Sequence, residues 1–157
     1  MRRQFGKTII DIARRDSRVV LLYGDVKQNM DDFEREFPDR IFNCGICEQS
    51  MVSMAAGMAL EGLRPVVYSL TPFLLERAFE QIKMDIDVMK QPVILCCYSF
   101  YPTHGESQTP LDSRKLASIF RNVRVYHPTN FDLTDAALRD AHRSGEPAII
   151  CLTRSTE

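Results

Sequence analysis

Asn43-Cys44-Gly45-Ile46-Cys47-Glu48-Gln49 stands between two periodicities. Arg40 to Asn43 reads as a short strand before it, and Cys47 to Leu60 as a helix after it. Met51, Val52, Met54, Ala55, Ala56, Met58 and Ala59 spread round that helix, which predicts an internal position. Glu48 falls in the helix's first turn. Burying an unpaired charge costs several kcal/mol, so such a carboxylate needs a partner or a proton. Ser50 to Leu60 offer no basic side chain, which makes a ligand a serious candidate for the partner.

Working outward, helical and strand patterns alternate along the chain. Phe5 to Arg14 reads as an amphipathic helix and Arg18 to Tyr23 as a strand closed by Gly24-Asp25. Asp31 to Phe37 is a short charged helix stopped by Pro38. Beyond Gly62 come a strand from Pro65 to Ser69 and a long helix from Pro72 to Met89, with proline at its tolerated start. Pro92 to Tyr98 is an apolar strand and Ser99 to Pro110 a polar loop. Leu111 to Phe120 is a helix, Val123 to Tyr126 a strand, Asp132 to Arg143 a helix and Ala148 to Leu152 the last strand. No repeat, linker or low-complexity tract interrupts the series. The pattern predicts one α/β domain over 1–157: a doubly wound, mostly parallel sheet of about six strands with helices on both faces. Ligands in such folds sit at the carboxyl ends of the strands, and Glu48 follows one.

The composition narrows the function classes. With 157 residues the chain can bury a core without a disulfide or metal staple. A net charge of -1, with no strongly basic segment, argues against nucleic acid as a partner. No apolar run is long enough to cross a membrane, and the N-terminus lacks a signal-peptide pattern. The five cysteines are an odd number, and Cys96, Cys97 and Cys151 lie in apolar runs. That usage points to buried free thiols in a reducing, cytoplasmic setting.

Several residues admit a plain reading beside a functional one. With Gly45 as N-cap, Glu48 is the third helical residue and could bond back to the backbone as a cap; the rival role is general acid or base. Cys44-Gly45-Ile46-Cys47 is a C-x-x-C motif between strand and helix, as in a thioredoxin-like redox pair. Against that reading, the chain is long for the fold and no aromatic residue immediately precedes Cys44. Metal binding by the pair is weaker still, because no second ligand pair appears. His104 lies in the polar loop with Phe100 and Tyr101, where solvation competes with a functional role. His127 and His142 read as structural or exposed. Phe73 fits core packing, Arg77 a surface charge, and Asp25 a turn after Gly24.

Asn43 to Gln49, followed by Met51-Val52 and Ala55-Ala56-Gly57-Met58-Ala59, resembles the pyrimidine-binding domain of the transketolase family. Arg77-Ala78-Phe79-Glu80-Gln81-Ile82 and Pro147-Ala148-Ile149-Ile150 look like later segments of that domain, so the resemblance spans essentially the whole chain. It implies thiamine diphosphate as cofactor. Glu48 matches the glutamate that hydrogen-bonds the aminopyrimidine ring and favours its imino tautomer. Phe73 is similar to the aromatic contact of that ring, although the spacing to Arg77 is one residue long and Leu74 is the alternative. Arg77 resembles a cofactor-contacting arginine, and Asp25 sits where the family has an acidic loop. Pro102-Thr103-His104 looks like the substrate-loop histidine motif, and an ungapped alignment from Asn122-Val123 puts Ser107-Gln108 there instead.

The family holds the diphosphate and its divalent metal through a Gly-Asp-Gly motif on another domain, and Gly24-Asp25-Val26 is not one. The family's third domain is absent as well. The resemblance therefore implies one subunit of a split enzyme. It would pair with a diphosphate-binding transketolase-like subunit, around a homodimer core within a heterotetramer, and transfer a two-carbon ketol unit between sugar-like substrates. Alone, the chain is expected to be inactive and to hold the cofactor weakly. The alternatives are a non-catalytic binding or regulatory subunit of the same fold, and a thiol-disulfide oxidoreductase using Cys44 and Cys47.

Overall fold

The structure, a computed structural model, describes residues 1–27, 29–99 and 105–153. Its six strands form one all-parallel sheet in the order β2-β1-β3-β4-β6-β5. The strands are β1 (Val19–Tyr23), β2 (Ile41–Asn43), β3 (Arg64–Leu70), β4 (Ile94–Tyr98), β5 (Arg124–Tyr126) and β6 (Ala148–Leu152). The α/β reading of the sequence thus holds, with every strand within a few residues of its expected bounds.

Alternation along the strands divides the core into two layers. Val20, Leu22, Val67, Leu95, Cys97, Ile149 and Cys151 point to one face. There they meet α3 (Glu48–Leu60) and a helical stretch over 72–88. Leu21, Tyr23, Tyr68, Cys96 and Ile150 point to the other, under α1 (Arg2–Arg15) and α6 (Phe131–Ser144). The central strands are apolar on both sides because both sides are covered. The remaining helices are the short α2 (Asp31–Glu36) and α5 (Ser113–Ala117).

Helix ends follow local chemistry. The Asn130 side chain accepts the Leu133 N–H at 2.8 Å and starts α6, one residue before the expected Asp132. Asp112 accepts from Arg114 and Lys115 and starts α5, which is shorter than the Leu111 to Phe120 helix expected.

Two expectations need correcting. The long helix from Pro72 is not regular: it opens with a π turn, Pro72–Arg77, narrows to α4 (Phe79–Gln81), and widens again to π geometry over Ile82–Val88. Wide turns of this kind accommodate residues that α spacing cannot place on one face. Helix α3 is not internal within this chain. Glu48, Met51, Val52, Ala55, Ala56 and Ala59 are buried, whereas Ser53, Met54, Gly57 and Leu60 are exposed.

Candidate functional site

The chain reverses direction across the sheet between β1 and β3: β2 lies on one side of β1, and β3 to β6 on the other. The carboxyl ends of β1 and β3 border the crevice that this reversal opens. The turn after β2 delivers a side chain into it. Cys44 N–H bonds to the Tyr23 carbonyl at 2.8 Å, fixing the turn to the end of β1. The Asn43 side chain accepts the Gly45 N–H at 2.9 Å. Gly45 then adopts φ +74°, a left-handed conformation that glycine tolerates best. The N-cap is Cys47, with no side-chain cap bond, and Glu48 is the first helical residue.

This corrects the capping reading. Glu48 is not at the third helical position, and its carboxylate turns across the sheet edge. It is 0% exposed. Oε2 accepts from the Arg77 guanidinium at 2.9 Å, and Oε1 accepts from the Ser69 hydroxyl at a longer 3.4 Å. Helix α3 has no basic side chain of its own. The partner comes instead from the π turn of another helix. Breaking such a pair leaves a buried charge uncompensated, which costs about 3–5 kcal/mol.

The same π turn answers the one-residue excess between Phe73 and Arg77. Arg77 Cζ sits 4.3 Å from the centroid of the Phe73 ring, so the two residues share a face. Leu74 is fully buried in the core. Phe73, not Leu74, is therefore the residue that shares the Arg77 guanidinium with Glu48. Thr71 and Ser99, both buried, hydrogen-bond at 2.9 Å between the ends of β3 and β4. With Ser69 and Glu48 they make a polar strip at the strand ends, above an otherwise apolar layer. Sequence reasoning passed over Ser69, Thr71 and Ser99; their signal is polarity at the ends of apolar strand runs.

Asp25 is exposed just after β1. His104 lies outside the described residues. Ser107 and Gln108 form a 3-10 turn, Glu106–Gln108, that packs against Pro72–Arg77. Glu76 of the π turn accepts the Leu111 N–H at 2.8 Å and ties the following segment to the same place.

Cys44 and Cys47 flank the crevice, but their thiols bond to separate carbonyls: Cys44 to Phe42 at 3.8 Å and Cys47 to Cys44 at 2.8 Å. Burial, and then the neighbouring Cys47, push the Cys44 thiol up. A redox nucleophile needs the opposite shift. Among the described residues no His, Cys, Asp and Glu group is arranged to hold a metal. Cys96, Cys97 and Cys151 are buried free thiols. A groove of about 750 Å³ over Lys7, Asp11, Arg14, Arg35 and Glu36 is open and belongs to the α1 side of the sheet. Arg14 there pairs with Asp11 and Glu36, and Arg35 with Asp32.

The chain is thus a doubly wound parallel α/β protein with a buried carboxylate near its switch point and an aromatic ring joined to it through Arg77. The chain belongs to the transketolase pyrimidine-binding domain family, whose profile matches residues 1–156. Membership implies dependence on thiamine diphosphate. The chain is 33% identical over 150 residues to 1-deoxy-D-xylulose-5-phosphate synthase of Clostridium perfringens (strain 13 / Type A), covering 93% of this chain and 24% of that protein. It is 44% identical over 92 residues to the synthase of Syntrophomonas wolfei, covering 57% of this chain and 14% of that protein. A solved structure described as a split-gene transketolase, an inactive β4 tetramer, superposes with a TM-score of 0.88 at 29% identity. It matches 98% of this chain and 51% of its own. The chain thus spans about a quarter of the curated relatives' length and about half of the solved chain.

The donor set fits the pyrimidine end of that cofactor. The Arg77 guanidinium, a flat group with an N–H edge, lies on the Phe73 face and donates to Glu48.

Proposed function

We propose that this chain, as a single pyrimidine-binding domain over 1–157, is the pyrimidine-binding subunit of a split thiamine-diphosphate-dependent, transketolase-like transferase. The observation that carries the reading is the fully buried Glu48 carboxylate, linked to Phe73 through the Arg77 guanidinium. The proposed reaction is transfer of a two-carbon ketol unit between sugar-like substrates, the activity for which the solved neighbour, a split-gene transketolase, is named.

The cofactor supplies a thiazolium carbon that becomes nucleophilic once its proton is removed. The chain's residues prepare that chemistry. Glu48 shares a proton with a ring nitrogen, and its burial strengthens that hydrogen bond. Phe73 stacks on the ring and fixes its plane. Ser69 steadies the second carboxylate oxygen. Arg77 and Asp25 complete the proposed cofactor contacts, and His104 the substrate contact. In the proposed assembly the diphosphate and a divalent metal are held by the partner subunit; among the described residues no cluster is arranged to hold a metal.

Assembly is part of the proposal. Helix α3 and the 72–88 stretch touch through Ser53 Oγ and Asp85 Oδ2 at 2.5 Å. Beside that contact Met54, Met84, Val88 and Met89 are exposed. An apolar face of this kind suits a homodimer core flanked by diphosphate-binding subunits. The isolated chain is then inactive, and its buried thiols suit a cytoplasmic setting.

The test is Glu48→Gln in the assembled complex. Turnover should fall by about 10²–10⁴, the usual contribution of a positioned acid or base. Unchanged turnover would remove the catalytic role and leave the non-catalytic subunit. Cys44→Ser with Cys47→Ser should leave activity largely intact; complete loss would favour the redox reading.

A further inference from the structure

Arg77 already makes both contacts proposed for the cofactor ring. Its guanidinium covers the face of Phe73, with Cζ 4.3 Å from the ring centroid. The same group donates to Glu48 Oε2 at 2.9 Å. A guanidinium is flat, delocalised and rimmed with N–H donors, so it presents the stacking surface and donor edge of an aminopyrimidine. Two flat groups cannot occupy one face of Phe73 and one carboxylate oxygen together.

The surroundings separate a plug from a permanent strut. Glu48 has no exposure, whereas the Arg77 side chain is 38% exposed. The arginine enters from the solvent side and can withdraw the same way. Ser69, on the inner side, stays with the carboxylate through its other oxygen. Without Arg77 the lone chain would carry a buried, uncompensated charge, the costly state that a bound ring would otherwise relieve.

We infer that Arg77 is an internal stand-in for the cofactor's pyrimidine, holding Glu48 and Phe73 in the lone subunit and withdrawing when the ring enters. This inference rests on the proposed pyrimidine-binding role and replaces the ring contact proposed for Arg77 with a gate. The ring binds only to the fraction of subunits whose arginine is withdrawn, so apparent affinity falls by that fraction. The arginine therefore keeps an unassembled chain from sequestering cofactor that it cannot use.

The test uses the full chain and the ring alone, 4-amino-5-hydroxymethyl-2-methylpyrimidine, titrated by calorimetry. Arg77→Ala should tighten binding by about tenfold or more over the parent, as removal of a closed state predicts. Arg77→Lys, which keeps the charge but not the plane, should fall between them. Adding Glu48→Gln or Phe73→Ala to Arg77→Ala should cancel the gain. Melting curves give a ligand-free arm: Arg77→Ala should lower the midpoint less when Glu48 is already Gln. If Arg77→Ala fails to fold, Arg77→Gln carries the same comparison.

Ring binding no tighter in Arg77→Ala than in the parent, with Glu48→Gln and Phe73→Ala both weakening it, overturns the stand-in and leaves the pyrimidine slot intact. Binding that ignores Glu48 and Phe73 in every variant, or is absent from all of them, overturns the slot and the stand-in together.

Discussion

At the residue scale, the position of Glu48 depends on a close backbone approach at Gly24. A Cβ added there would lie 2.9 Å from the Gly45 carbonyl oxygen and 3.9 Å from Glu48 Oε1. The first contact is with backbone and cannot be relieved by rotating a side chain. Gly24→Ala should therefore displace the turn that carries Glu48, costing about 1–3 kcal/mol of stability in urea melts and weakening cofactor binding in the complex. Away from the site, Asp16 accepts from the Arg18 backbone N–H and guanidinium. The Arg18 side-chain bond holds its carboxyl down from 3.8 to about 2. Because the folded value is depressed, the stabilisation is complete above pH 3.8 and fades as pH falls toward 2. Asp16→Asn should cost about 1 kcal/mol at neutral pH, discounted for the exposed Arg18, and denaturant melts should show the gap closing through that acid window. Glu48 was legible in the sequence because strand, glycine turn and apolar helix converge on it. Its link to Arg77 was not, since nothing local ties residues 29 positions apart.

At the element scale, the alternating patterns located all six strands and the helices between them. Apolar runs flanked by turn residues are robust signals, because burial on both sheet faces demands them. The π geometry of Pro72–Arg77 was hidden, since propensity does not distinguish a wide turn from an ordinary one. That hidden turn decides which residue shares a face with Arg77. Leu74→Ala should cost about 2–5 kcal/mol by opening a core cavity, with cofactor affinity changed only as far as folding suffers. Phe73→Ala should do the reverse: a small change in melting midpoint and a large loss of cofactor binding in calorimetry with the partner present. Reversed results would return the aromatic position to Leu74. The exposure of half of α3 was also illegible. An apolar residue reads the same whether its own chain or another covers it.

At the scale of the whole molecule, the outward side chains Met84 and Val88 are 47% and 58% exposed in the single chain. Met84→Glu with Val88→Glu should leave the melting midpoint of the lone chain within about 0.5 kcal/mol equivalent, as ordinary surface changes do. In sedimentation the same pair should abolish self-association; an intact oligomer would place the interface elsewhere. Calorimetry should show thiamine diphosphate binding only after a diphosphate-binding partner is added, and tight binding by the isolated chain would contradict a shared site. The sheet itself bears on how copies meet. Its outermost ribbons, Ile41–Asn43 and Arg124–Tyr126, are three residues each. So brief a margin offers few free amides for a foreign strand to zip onto, which discourages endless lateral growth. Contact between molecules is steered onto helical flanks, where packing closes on itself instead of propagating.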